Sequence, residues 1–148
     1  MIREAKPKDV SAIFDLIKGL AEYEKEPEAV INTVENLYDD LFVTNHCEAF
    51  VAEAEGKVIG FSLFFTAYST WKGPIIYLED LFVLPEYRST GAGSKLFDAV
   101  VQVAKDRKVA RMDWQVLEWN TSAIEFYKRK GATIDPEWLN GRFFFEEH

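Results

Sequence analysis

The spacing of apolar residues changes several times along this chain, and each change marks a structural element. Residues 2–5 read as a short strand. From Pro7 the spacing turns helical: Val10, Ile13, Phe14, Ile17, Leu20 and Ala21 recur at steps of three and four and make one apolar face. Pro7 suits the first turn of that helix, and Pro27 breaks the pattern. Thr33 has the place of an N-cap, ahead of a short helix with Val34, Leu37, Tyr38 and Leu41 inward. Residues 48–53 and 57–68 read as two strands around a tight Glu55-Gly56 turn, a hairpin. In the second of them Phe61, Leu63 and Phe65 share one face and Phe64 takes the other, so both faces are expected to be covered.

Residues 69–74 form a loop carrying Trp71 and Gly73. An apolar strand follows at 75–83. Pro85 stops it, because proline has no N–H to give to a ladder. A turn, Arg88-x-x-Gly91-x-Gly93, leads into a helical run at 94–107, with Val100, Val103 and Ala104 on its apolar face. Residues 111–117 are the next strand. Asn120-Thr121-Ser122 caps a helix that runs to Lys130, and Gly131 ends it at C′. Residues 143–145 make a closing strand. The order β-α-α-β-β-β-α-β-α-β predicts an α/β (α+β) fold: a mixed sheet with helices on both faces. The strands at 75–83 and 111–117 are joined by a helical crossover and are expected to be parallel.

At 148 residues the chain is long enough for one domain with a real core, residues 1–148. Its start is charged at once, without a secretory apolar stretch, and no apolar run approaches a membrane span. The one cysteine, Cys47, fits a reducing cytoplasm and carries no local sign of a reactive thiolate. His46 and His148 stand apart from any metal-ligand spacing, so no metal site is expected. A net charge of −8 argues against nucleic acid as a partner. It suits a cationic small molecule, or simply solubility; the glutamates of 22–28 are likewise either a solvated surface or a cation-attracting rim.

The turn between strand and helix is the most suggestive chemical feature. It aims backbone N–H groups at one point with the positive end of a helix behind them, and its glycines let a ligand come close. A phosphate or pyrophosphate is the natural guest. The Walker pattern fails, since Gly93-Ser94-Lys95 has the lysine and hydroxyl in the wrong order. The dinucleotide fingerprint fails too, because Leu96 stands where a third glycine or alanine is needed. A helix start that needs small residues for packing remains the other reading of the same six residues.

Arg88-x-x-Gly91-x-Gly93 resembles the acetyl-CoA loop of the GNAT superfamily of N-acetyltransferases. Three further segments carry the same resemblance: Tyr77-Leu78-Glu79-Asp80, Asn120-x-x-Ala123-x-x-Phe126-Tyr127, and Leu20-Ala21-x-Tyr23-Glu24. Together they resemble its diamine (spermidine/spermine) branch, and Tyr68-Ser69-Thr70-Trp71-Lys72-Gly73 resembles the sister enzyme acting on thialysine. Ser89 stands where glycine is usual, and Ser69-Thr70 replace the acid and proline of the mammalian diamine enzymes.

The resemblance implies a mostly antiparallel central sheet of six to seven strands, in which strands four and five splay apart around the cofactor. It implies acetyl-CoA as co-substrate, a small amine as partner, and a homodimer. Leu81, Phe82 and Val83 would pair with the pantetheine arm; Arg88, Ser89, Thr90, Gly91, Ala92, Gly93 and Ser94 would hold the pyrophosphate; Asn120 and Ser122 would complete the CoA side. Tyr127 matches the family's general acid, with core packing beside Phe126 as its other role. Glu79 would collect the amine proton, or else be a carboxylate on a wet strand edge. Tyr23, Glu24 and Trp71 match substrate-side positions, with surface or packing roles as the alternative. Strand alternation puts Asp80 on the face opposite Glu79. A protein lysine or N-terminus as acceptor, or a silent acyl-CoA-binding module, are the competing functions.

Overall fold

A computed structural model describes residues 1–145. His148, read above with His46 as unsuited to metal binding, lies outside the described residues. The chain divides into two compact units, residues 1–115 and 116–148.

The first unit holds one five-stranded sheet in the order β1-β2-β3-β4-β5. Its strands are β1 Ile2–Glu4, β2 Glu48–Ala54, β3 Lys57–Ser69, β4 Gly73–Val83 and β5 Met112–Asp113. β1 to β4 pair antiparallel, and β4 with β5 parallel, as the helical crossover requires. Three helices accompany the sheet: α1 Val10–Tyr23, α2 Val34–Phe42 and α3 Ala92–Asp106. The mixed α/β class is the one predicted, with fewer strands. One lost strand explains the count, and another is cut short. β5 is two residues long rather than the seven of 111–117, and 143–145 form no strand.

Sequence signals account for much of the local structure. The Thr33 hydroxyl accepts the Asn36 N–H at 3.1 Å, as an N-cap should. Glu55 and Gly56 both have positive φ, 56° and 76°, which is the twist a two-residue hairpin turn needs. In the second unit, α4 spans Thr121–Arg129, the Asn120 side chain accepts from the Ala123 N–H, and Gly131 ends the helix at φ 92°.

Both faces of the sheet are covered. On one, α1 and α2 bring Val10, Ile13, Phe14, Leu16, Leu37 and Leu41 against Val51, Phe61, Leu63 and Phe82. On the other, Ala92 and Leu96 of α3 meet Ala52, Ile59 and Val83. Leu16 joins the core although it lies outside the predicted stripe, and Tyr38, expected inward, is exposed. Arg3 ties the first strand to the entrance of α1 through two bonds to Asp9 and one to Glu53.

The crossing of β3, β4 and α3 depends on Gly60. A Cβ there would stand 2.9 Å from both the Phe82 carbonyl oxygen and Val83 Cγ2. Two of those contacts are too close for any real side chain, and one is backbone. Gly60→Ala is therefore expected to cost about 1–3 kcal/mol through overpacking, read as a lower urea midpoint. Gly93→Ala, whose Cβ would meet Val83 Cγ2 at an ordinary 3.8 Å, should stay within about 0.5 kcal/mol of the parent chain.

Candidate active site

The site begins where two strands part. β4 pairs with β5 only at Ile76 and Tyr77, and then runs on from Leu78 to Val83. Its other edge stays paired with β3 all the way to Val83. Among the described residues no strand covers the outer edge of that last stretch.

Ladder geometry says which groups line it. In an antiparallel pair the N–H and C=O of one residue point the same way, and successive residues alternate. The Leu84 N–H donates to Ile59 in β3. Val83 and Leu81 therefore turn their backbone groups outward, and Phe82 turns its own toward β3. The bond from Arg88 Nε to the Val83 carbonyl, 3.1 Å, agrees with that assignment. So Leu81 and Val83 stand at the open edge, as expected. Phe82 does not: its ring is buried against α1 and its backbone belongs to the β3 ladder.

The glycine turn lies at the end of the same strand. Residues Pro85–Thr90 form a 3-10 turn, held by the Thr90 hydroxyl donating to the Tyr87 carbonyl at 2.6 Å. Gly91 follows at φ 83°, a conformation that favours glycine. The first bond inside α3 runs from Lys95 N–H to Gly91. The N–H groups of Ala92 and Gly93 precede it, at the positive end of a helix of 15 residues. That is a fit for a phosphate, made by backbone and not by side chains. The Arg88 side chain turns elsewhere, onto Val83 and over the rings of Tyr23 and Phe82 at 4.9 and 5.5 Å.

The carboxylates are arranged by a β-bulge. Leu63 faces Asp80 and Phe64 faces Leu78, so Glu79 is an extra residue on β4. Strict alternation fails at that point. Leu78 lies on the α3 face, opposite Phe64, whereas Asp80 lies with Leu63 and Phe82 on the α1 face. The bulge therefore breaks the strict alternation between Glu79 and Asp80, and Asp80 feels the charge of Glu79. Asp80, half-buried, is pushed up to about 7 by burial, then by Glu79 and by Glu24 from the end of α1. Glu24 is raised too, by burial first and then by Glu79. Asp80 is the residue that sequence reasoning missed. Only a register shift could have revealed it, and the local sequence does not announce one.

The remaining predicted residues fall into three groups. Tyr23 sits under Arg88. Trp71 is 87% exposed at the tip of the β3–β4 hairpin, and the run of strand from Gly73 to Glu79 separates it from the carboxylates by about 20 Å. In the second unit, Tyr127 lies on α4 with its ring edge-on to Phe126 at 5.2 Å, and the Ser122 hydroxyl donates to Asn120 Oδ1 at 3.3 Å. Cys47 is pushed up to about 11 by burial and by Asp40 and Glu48, which disfavours a thiolate. Among the described residues no group of His, Cys, Asp or Glu is arranged to hold a metal ion, and no helix is long and apolar enough to cross a membrane.

A mixed sheet that parts between two parallel strands, with a glycine turn and helix at the gap, defines an acyl-transfer fold of one class. The profile of the Acetyltransferase (GNAT) family matches residues 10–132, and the chain belongs to that family. It is an acetyltransferase. It is 44% identical over 141 residues to a thialysine N-epsilon-acetyltransferase of Bos taurus, covering 89% of this chain and 83% of that one. It is 31% identical over 159 residues to the spermidine/spermine N(1)-acetyltransferase-like protein 1 of Homo sapiens, covering 99% of this chain and 23% of that one. An aminoglycoside acetyltransferase from an uncultured soil metagenomic sample, solved with trehalose, shares the fold with a TM-score of 0.81 at 21% identity, over 99% of this chain and 96% of that one.

Asp80 makes the fold pH-sensitive. Between pH 3.8 and about 7 the folded chain keeps a proton that the unfolded chain has released. Stability therefore falls as pH rises through that window. Asp80→Asn removes the loss: its melting temperature at pH 8 should exceed the parent's by about 3 °C, and the gap should close toward pH 4. A gap independent of pH would contradict the assigned protonation.

Proposed function

We propose that the chain moves acetyl from acetyl-CoA to a primary amine of a small cationic substrate, a diamine, polyamine or thialysine-like amino acid. Attack is direct, with both substrates bound, and residues 1–148 act as one catalytic domain. The observation that carries this reading is the open edge of β4 at Leu81 and Val83 beside Glu24, Glu79 and Asp80. Backbone donors suit the cofactor, and three carboxylates suit a cation. A homodimer and a cytoplasmic location belong to the same reading, on the resemblance and on the single cysteine respectively.

The thioester supplies the acetyl group and a thiolate leaving group. The Leu81 N–H serves the carbonyl oxygen, where negative charge develops. The backbone of 88–94 receives the pyrophosphate, and Asn120 and Ser122 complete the CoA side. An amine attacks only when neutral. Glu79 takes its proton, directly or through water. Glu24 and Asp80 hold a second ammonium group of the substrate, which lowers their proton affinity in return. Tyr127 gives its proton to the thiolate; a phenol at about 10 is matched to a thiol of similar acidity. Trp71 stays outside this account, because its distance along β4 separates it from the carboxylates of its own chain.

The test is a panel of thialysine, spermidine, putrescine and lysine-containing peptides, followed by release of free thiol from acetyl-CoA. Turnover of the small amines over the peptides is expected. A preference for the peptides overturns the substrate class, and thiol release with none of them overturns the amine. Tyr127→Phe should lower kcat about 100-fold while acetyl-CoA binding, measured by calorimetry, stays within about twofold. Equal loss of both contradicts the proton-donor role.

A further inference from the structure

The Arg88 side chain joins the glycine turn to the end of α1. Its Nε donates to the Val83 carbonyl at 3.1 Å. Its guanidinium lies 4.9 Å from the centre of the Tyr23 ring and 5.5 Å from that of Phe82, within the range of a cation–π contact. The far side of Phe82 is closed by α1 itself: a Cβ on Gly19 would stand 3.3 Å from the Phe82 ring. A continuous stack thus runs from α1 at Gly19, through Phe82 and Arg88, back to α1 at Tyr23. Immediately after Tyr23 comes Glu24, whose carboxylate feels Glu79. The helix ends there, with Lys25 at φ 67°.

We infer that Arg88 is a positioning residue for the amine side, holding Tyr23 and so Glu24 in place, and that its side chain is not the ligand of the pyrophosphate. Three observations converge on this. The Nε donates to a carbonyl, and the guanidinium lies over two rings. The turn offers phosphate the N–H groups that open α3, which need no help from a side chain. Beyond the turn and its own strand, Arg88 reaches the end of α1 at Tyr23. The meaning of "amine side" rests on the function proposed above.

The test separates the two roles with Arg88→Ala. Acetyl-CoA affinity by calorimetry should change less than about threefold, while amide exchange over residues 20–25 speeds up about tenfold as the cation–π tie is lost. With thialysine, KM for the amine should rise about tenfold, with KM for acetyl-CoA unchanged. Arg88→Lys should not restore it, because lysine has neither the planar fork nor the Nε donor. In a Tyr23→Leu background the same Arg88→Ala change should move the amine KM by less than about twofold, since the two residues act as one unit. A tenfold or greater loss of acetyl-CoA affinity with unaltered exchange over 20–25 makes Arg88 a phosphate ligand and overturns the inference. Affinity and exchange need no amine. They decide the role of Arg88 even if the panel finds no substrate and the proposed function fails.

Discussion

Everything at the site depends on β4 losing its parallel partner after Tyr77. A buried strand normally satisfies its backbone on both sides, because an unpaired N–H or C=O away from water is costly. Here β5 stops at Asp113, and the next residue, Trp114, packs edge-on against Phe97 of α3 at 5.3 Å. The aromatic contact draws the chain toward the helix and away from the ladder. β4 meanwhile is held straight by ten cross-strand pairs with β3, so it does not follow. The result is a rigid strand with one open edge, aimed by its neighbour rather than by anything it touches on the open side. A ligand that offers amide groups can complete the ladder there without the protein having to move.

The bulge at Glu79 has a similar logic. In a regular strand the Glu79 and Asp80 carboxylates would point to opposite faces, and one of them would enter the apolar layer under α3. The extra residue resets the alternation, so that Asp80, Phe82 and the end of α1 share one face. The cost is electrostatic. Asp80, Glu79 and Glu24 repel one another, and burial adds to the penalty on ionising Asp80. Nothing in the packing of the fold requires this arrangement; an amide at Asp80 would fill the same space. Strain of this kind, kept where a site is, is the usual sign that stability has been exchanged for binding.

Much of this was legible in the residues, and the division follows a physical line. Features written in a single local stretch were readable: the Thr33 cap, the Glu55-Gly56 turn, the C′ glycine Gly131, the crossover that makes β4 and β5 parallel. Features that depend on how one strand meets another were not. The bulge opposite Leu63 leaves no trace in apolar spacing, so strict alternation was expected between Glu79 and Asp80. Residues 111–117 have strand-like composition throughout, yet only Met112 and Asp113 find a partner. Tyr38 carries the period of its helix but lies beyond the edge of what the sheet covers. The role of Arg88 was hidden for the same reason: its motif speaks of the turn it belongs to, while its side chain answers to Tyr23, 65 positions earlier.

The two halves of the site should therefore diverge at different speeds. In the proposed function the cofactor half would be built from backbone: the outward groups of Leu81 and Val83, the N–H groups opening α3, the φ of Gly91. Such groups survive almost any substitution that keeps the fold. In the same proposal the amine half would be built from side chains, Glu24, Glu79 and Asp80, with Arg88 and Tyr23 setting their spacing. Each of these can be changed without disturbing the sheet, and each change alters what cation fits. A family organised this way can keep one donor and exchange acceptors. Identity concentrated in Tyr23-Glu24 and Leu78-Glu79-Asp80 is then more informative about the amine than identity spread over the whole chain.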